Sequence, residues 1–342
     1  MTVLSDEKLN SGSIYKYAYD HNILASVTIE LTKNCNWKCK HCYIPNKTTN
    51  HQINYSDMSQ LFCDLRKMGT LDLVFTGGEI FTRSDTFEII KRARELNFRV
   101  TLLSNASLLT EEKIELISSL NISQFSTTIF SLDKRVHDSI TGVKDSFSNC
   151  FNNVLLMRKY NIPVQIKTPI MTMNKQSYKA LMEFCDENQI SYGASPIIFS
   201  RTNGDCSPHR LRLSKDGIKE TIVDLDKINR FAPTAFEQEK EPCPALRYSL
   251  FIDSDGEVYP CNSFYYSVGN ITREEIGYIW NDSEKLKNVK SIKNTHLSKC
   301  ISCEVVEYCN RCPGLAYLED DDMLGCSSIA REIACCRHEA YH

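Results

Sequence analysis

The chain has 342 residues, of which 42% are apolar, and a formal charge of −3. That length suffices for one large core or two ordinary domains, and without a basic excess nucleic acid is not expected as a main partner. Residues 1–16 lack the apolar stretch of a secretory signal, and no run reaches the roughly 18 apolar residues of a membrane span. A cytoplasmic protein with no membrane partner is expected.

Residues 1–20 read as a polar lead-in with room for one helix. From residue 23 to about 200 the chain alternates between strand and helix patterns. Strands are expected at 25–31, 71–75, 99–104, 123–130, 163–171 and 191–199. Helices are expected at 56–68, with Ser56 as N-cap, and at 86–96. Further helices are expected at 110–120, opened by Thr110 ahead of Glu111 and Glu112, and at 146–160 and 175–188. Six strands with intervening helices suggest a parallel sheet of right-handed βαβ units, whose closure periodicity does not reveal. Functional residues are expected at the C-terminal ends of the strands. The segments there are 35–42 after strand one, Gly77-Gly78-Glu79 after strand two, Ser104-Asn105 after strand three and 131–133 after strand four. A polar bridge at 202–213 and a helix at 214–231 follow. From 242 onward the segments are short, the turns tight and cysteines frequent. The expected division is a lead-in at 1–23, a barrel at 24–213, a bridging helix at 214–239 and a Cys-rich domain at 240–342.

Sixteen cysteines are many for a chain without an export signal, and in a reducing compartment clustered cysteines more often bind metal or do redox chemistry than form disulfides. Cys63, Cys150 and Cys185 fall in helical patterns and read as packing. Cys35, Cys39 and Cys42 follow a strand directly at spacing C-x3-C-x2-C, so three thiolates can face one cube and leave its fourth iron without a protein ligand. A structural zinc site normally takes four ligands, and His41, directly beside Cys42, is strained as the fourth. Eight or so thiolates in the last hundred residues are best explained as metal staples, with zinc as the alternative to iron.

The triplet, with aromatic Tyr43 behind it, resembles the radical S-adenosylmethionine superfamily. The resemblance implies an α/β fold: a partial (β/α)6 TIM-like barrel with a small Cys-rich C-terminal iron–sulfur domain. Cys35, Cys39 and Cys42 would bind a [4Fe–4S] cluster whose open iron takes the methionyl group of S-adenosyl-L-methionine. Gly77, Gly78 and Glu79 resemble the family's GGE motif, with Ile80 where Pro is usual. Here the glycines would let backbone approach the ligand, and Glu79 would offer charge to its ammonium. Ser104, Asn105 and Ser131 correspond to ribose and carboxylate contacts, Lys167 to a carboxylate partner, and Tyr43 to packing on adenine or on the protein. The array Cys243-x12-Gly256-x4-Cys261, then Cys300-x2-Cys303-x5-Cys309-x2-Cys312 and Cys326, resembles the SPASM extension, with x2 in place of x3 in one spacer. It implies one or two auxiliary Fe–S clusters. One would be held by Cys300, Cys303, Cys309 and a later cysteine, Cys326 first and Cys335 as the alternative. The other would be held by Cys243, Cys261 and Cys312.

Residues 130–147 resemble subfamilies that modify ribosomally made peptides. A precursor peptide substrate is therefore expected, with a crosslink (C–C, thioether or ether) or an epimerised residue as product. Cys206, after strand six, would be the hydrogen donor for epimerisation. Only 34 residues precede Cys35, so leader recognition is expected from a separate protein or from the barrel itself. An electron donor such as flavodoxin or ferredoxin is also expected. Formylglycine-type sulfatase maturation, which would need an Asp base not evident in the sequence, and haem side-chain decarboxylation are further enzyme readings. An iron–sulfur electron carrier or scaffold is the non-enzymatic one. A carrier has no use for Glu79, Ser104, Asn105 and Ser131.

Overall fold

A computed structural model describes residues 11–45 and 52–342. Helix α1 (Ser11–His21) precedes strand β1 (Ser26–Glu30). Then come α2 (Tyr55–Lys67), β2 (Asp72–Thr76), α3 (Thr86–Glu95), β3 (Arg99–Leu103), α4 (Glu111–Ser119) and β4 (Gln124–Thr128). The chain continues with α5 (Lys134–Thr141), α6 (Ser146–Lys159), β5 (Val164–Pro169), α7 (Tyr178–Glu187), β6 (Ser191–Ser195) and α8 (Lys215–Asn229). All six expected strands form, and neighbours pair in parallel in the order β6-β5-β4-β3-β2-β1. The N-cap of α2 is Asn54, whose side chain accepts from Asp57 N, rather than Ser56. Thr110 caps α4 as expected.

The strands alternate faces. Val27, Ile29, Leu73, Phe75, Val100, Leu102, Phe125 and Ile166 are fully buried and join Phe62, Ile90, Ile117 and Met157 of the helices in one core. The other face, the interior of the partial barrel, carries Thr28, Thr101, Ser126, Thr128, Gln165 and Lys167 in register. At the N-terminal ends of the strands this face is floored by Arg99, which donates to Asp72 at 2.6 Å, and by Tyr15 of α1 at 2.5 Å from the same carboxylate.

The Cys-rich segment continues the same sheet. Strand β7 (Ser249–Ile252) pairs in parallel with β1, and β8 (Glu257–Tyr259) and β9 (Gly269–Asn270) extend it antiparallel. The sheet therefore has nine strands and stays open. Helices α9 (Ile276–Asp282), α10 (Glu284–Lys290), α11 (Ser298–Ile301), α12 (Pro313–Asp320) and α13 (Ser328–Tyr341) follow. The segment has two small apolar clusters, around Phe264 and around Leu297. Helix α13 instead packs Ile329, Ile333 and Cys336 on Ile218, Ile222 and Leu225 of α8.

This last helix is fastened by a buried ion pair, Arg337 Nη2 to Asp226 Oδ1 at 2.7 Å, with side chains 8% and 1% exposed. Removing one partner of such a pair strands the other charge in the interior. Arg337→Ala is therefore expected to lower unfolding free energy by about 3 kcal/mol, read as a shift in the urea midpoint.

Candidate functional site

The loop after β1 is clamped from three sides. Gly78 N donates to Thr32 O at 2.8 Å and Glu79 N to Asn34 O at 2.7 Å. Lys38 N and Lys40 N donate to Thr141 O and Ile140 O, at the end of α5, at 2.8 and 3.0 Å. Thr202 N, beyond β6, donates to Tyr43 O at 3.0 Å. A Cβ on Gly77 would lie 2.4 Å from Thr32 O, and one on Gly78 2.4 Å from Asn34 O. The glycines thus serve contact between two protein loops.

Glu79 is likewise spent inside the protein. Its carboxylate is fully buried and accepts from Phe81 N, from the Ser104 hydroxyl at 2.8 Å and from Asn105 N at 2.7 Å. Its geometry is that of an internal brace between the glycine turn and the end of β3. Ser131 Oγ accepts from Asp133 N at 2.9 Å and helps start α5. Asn105 Nδ2 donates to Asn36 of the Cys loop at 2.8 Å. Lys167, on the interior face, makes no hydrogen bond or ion pair among the described residues. It is solvent-reachable, yet surrounding protein depresses its ammonium below the ordinary lysine value.

Residues 130–147 are also scaffold. Asp138 accepts from Asp145 N, Ser146 Oγ and Phe147 N at 2.8–2.9 Å, closing the turn that follows α5. His137 is buried against Phe130, whose N–H points to Nδ1 at 3.3 Å, and burial lowers its pKa to about 4, keeping it neutral. The end of α5 then presents the two carbonyls that hold the Cys loop.

Two further thiol sets form. Cys243, Cys261 and Cys312 lie within electrostatic reach of one another. They are brought together because Gly314, at the start of α12, lets that helix sit on the turn after Cys261; a Cβ there would be 2.2 Å from Ser263 O. Cys300, Cys303, Cys309 and Cys326 form the second set, lining a cavity of about 980 Å³. Burial, then mutual repulsion, raises the Cys261 and Cys309 thiols to about 12. Packed thiols of this kind stay neutral unless metal offsets the charge of thiolates. Among the described residues no three His, Cys, Asp or Glu converge on a single ion, and a cluster, which spreads its ligands over several irons, does not require them to. Cys335 lines the cavity from α13 without joining the mutual set. Cys336 is buried in the α8–α13 core, Cys150 and Cys185 are buried, and Cys63 takes a contact from Arg92 at 3.5 Å. Cys206 is exposed, its Sγ 3.7 Å from Ser200 Oγ.

Sequence reasoning missed Glu30. It ends β1 on the interior face, 2% exposed, with Oε1 accepting from Ser254 Oγ at 3.2 Å in the β7–β8 turn. Burial raises its pKa to about 7, and burial likewise raises Asp253 nearby. Lys33 bridges Asp253 and Asp255. The available signal was a carboxylate closing an otherwise β-branched strand just before the cysteines.

Residues 29–187 match the model of the Radical SAM superfamily, and residues 243–313 that of SPASM, the iron-sulfur cluster-binding domain. The AdoMet-dependent heme synthase of Methanosarcina barkeri is 24% identical, over 86% of this chain and 93% of its own. The subtilosin biosynthesis protein AlbA of Bacillus subtilis is 25% identical, over 83% and 66%. Among solved structures, Streptococcus suis SuiB bound to precursor peptide SuiA superposes with a TM-score of 0.72 at 17% identity, over 97% of this chain and 82% of that one. Native anSMEcpe with bound AdoMet gives 0.72 at 15%, over 93% and 97%; both likenesses are of fold. The chain belongs to the radical S-adenosylmethionine superfamily, in its SPASM-bearing branch. Its cofactors are accordingly a [4Fe–4S] cluster, S-adenosyl-L-methionine and auxiliary Fe–S clusters, and the chain is an oxidoreductase-type enzyme.

Two outcomes are expected. Gly78→Ala should displace the Cys loop, and iron content should fall by one cluster's worth while the fold, read by circular dichroism, persists. Glu30 binds its proton more tightly folded than unfolded, so its contribution is present below pH 4.5 and lost as pH rises through 7. Wild-type stability should therefore decline by up to about 3 kcal/mol across that window, and Glu30→Gln should flatten the decline in urea titrations.

Proposed function

We propose that this enzyme generates a 5′-deoxyadenosyl radical and uses it to abstract hydrogen from a ribosomally made peptide, giving a crosslinked or epimerised residue. Cys35, Cys39 and Cys42 would hold the cluster that binds S-adenosylmethionine. Cys300, Cys303, Cys309 and Cys326 would hold one auxiliary cluster, and Cys243, Cys261 and Cys312 a second. When bound, the first cluster and S-adenosylmethionine supply one-electron cleavage of a carbon–sulfur bond.

The observation that carries the peptide reading is the interior face. Thr28, Thr101 and Thr128 offer hydroxyls, and Gln165, whose Oε1 accepts from buried Ser126 Oγ at 2.8 Å, offers its amide N–H groups, all suited to a peptide backbone. Above the Asp72–Arg99 floor, Lys167 is the cation that the described parallel strands place on this face, and it suits one carboxylate, such as that of S-adenosylmethionine. A tetrapyrrole bearing several carboxylates would call for several cations. The relatives named heme synthases nevertheless span most of this chain, which keeps haem side-chain chemistry as the second reading. Glu30 and Asp253 provide buried carboxylates to take a proton released when a bond forms. They would also serve a formylglycine-type oxidation.

Anaerobic, reconstituted enzyme reduced with dithionite should form 5′-deoxyadenosine. Replacing Cys35, Cys39 and Cys42 with Ala should abolish that product and leave auxiliary iron bound; retained cleavage would refute the assignment. Short peptides encoded beside the gene should lose the mass of two hydrogens on crosslinking. On epimerisation they should instead gain solvent deuterium, and Cys206→Ala should suppress that gain. Consumption of iron-coproporphyrin, with the peptides unchanged, would replace the peptide reading by the haem one.

A further inference from the structure

Arg311 lies in the chain between Cys309 of one thiol set and Cys312 of the other. Its Nη2 donates to Met323 O at 2.7 Å and Gly325 O at 3.0 Å, on the loop that leads to Cys326. Those two carbonyls fix the plane of the guanidinium. Its Nε and Nη1 are buried and find no acceptor among the described residues. The guanidinium stands against Cys300, with Cys312 and Cys309 also in electrostatic reach, but its approach to the Cys300 thiol falls short of hydrogen-bond geometry. It lines the same cavity as Cys300, Cys303, Cys309 and Cys326.

A buried guanidinium with two idle donor atoms is costly unless an anionic acceptor arrives. Neutral thiols are weak acceptors. Thiolates and the sulfides of a cluster are strong ones, and both would come with iron. Cations and hydrogen bonds at cluster sulfur favour the more negative, reduced state and so raise the potential.

We propose that Arg311 donates through Nε and Nη1 to the sulfur of the auxiliary cluster at Cys300, Cys303, Cys309 and Cys326, and raises the reduction potential of that cluster. This rests on the ligand assignment made above.

The test uses the full chain with Cys35, Cys39 and Cys42 replaced by Ala, so that auxiliary iron alone remains. Iron and sulfide are counted per chain, and midpoint potentials are read by titration followed by electron paramagnetic resonance. Cys261→Ala removes the other set and identifies the relevant wave. Arg311→Gln is expected to keep its iron and shift that wave to lower potential, with Arg311→Lys, which retains the charge, falling between. An unchanged midpoint at full iron in Arg311→Gln would overturn the proposal. So would loss of iron from both variants, which would make Arg311 a structural support, or a shift confined to the other wave. Absence of iron from the parent protein would instead refute the ligand assignment.

Discussion

Thr32 and Asn34 accept the backbone N–H groups of Gly78 and Glu79 at a separation that a Cβ at Gly77 or Gly78 would not permit, and the rest of the site follows from that contact. The loop carrying Cys35, Cys39 and Cys42 has no helix or strand of its own, so its shape is borrowed. One wall is the glycine turn after β2, made rigid because Glu79 is buried and saturated with donors. The other is the end of α5, where Thr141 and Ile140 offer their carbonyls. Neutral His137 and the Asp138 turn exist to place that end. Burying a carboxylate like Glu79 is tolerable only because each oxygen is hydrogen-bonded, and the return is a Cys loop whose backbone is held from both sides.

The second domain extends this logic. Strand β7 lies parallel beside β1, so the β7–β8 turn, with Asp253 and Ser254, stands next to the end of β1. Glu30 is shared across that seam. Its high pKa and the Lys33 ion pairs with Asp253 and Asp255, just ahead of the cysteines, therefore have one origin, the addition of a seventh parallel strand to the edge of the six-stranded sheet. The Cys-rich segment has little core of its own, yet it is not loosely attached. The sheet fixes one end, and the Arg337–Asp226 pair with the α8–α13 core fixes the other.

Much of this was legible in the sequence, because local signals sufficed. Alternating strands and helices, the Thr110 cap and the cysteine spacings depend on residues a few positions apart. What stayed hidden depends on distant partners. Helix α5 is short, and its buried positions are His137, Ile140 and Thr141, so it carries little apolar periodicity. Strand β7 is defined by pairing with a strand more than two hundred residues earlier, which no window of sequence contains. Glu30 fell within the expected strand 25–31 without a role of its own, because its acceptor role toward Ser254 appears only when the sheet assembles. Arg311 read as one residue of a spacer until the loop before Cys326 turned its guanidinium inward. Glu79, Ser104 and Asn105 were picked out as ligand contacts, and the fold shows them first binding one another.

That last point bears on how substrate is read in such a scaffold. The stretch 130–147 resembles peptide-modifying relatives, but its hydrogen bonds are spent on the turn after α5 and on the Cys loop. Any enzyme that needs this loop held in this way has reason to keep those residues, whatever it modifies. Discrimination between substrates has to come from surfaces the scaffold does not require, namely the interior face of the strands. Above the Asp72–Arg99 floor the strand positions that share it carry hydroxyls, the Gln124 and Gln165 amides, apolar Val74 and Leu103, Lys167 and, at the end of β1, Glu30. Such a face can hydrogen-bond an extended main chain at many points, but it can neutralise few carboxylates. The charge balance of that face, more than the motifs around the cysteines, is the ground on which the peptide proposal stands.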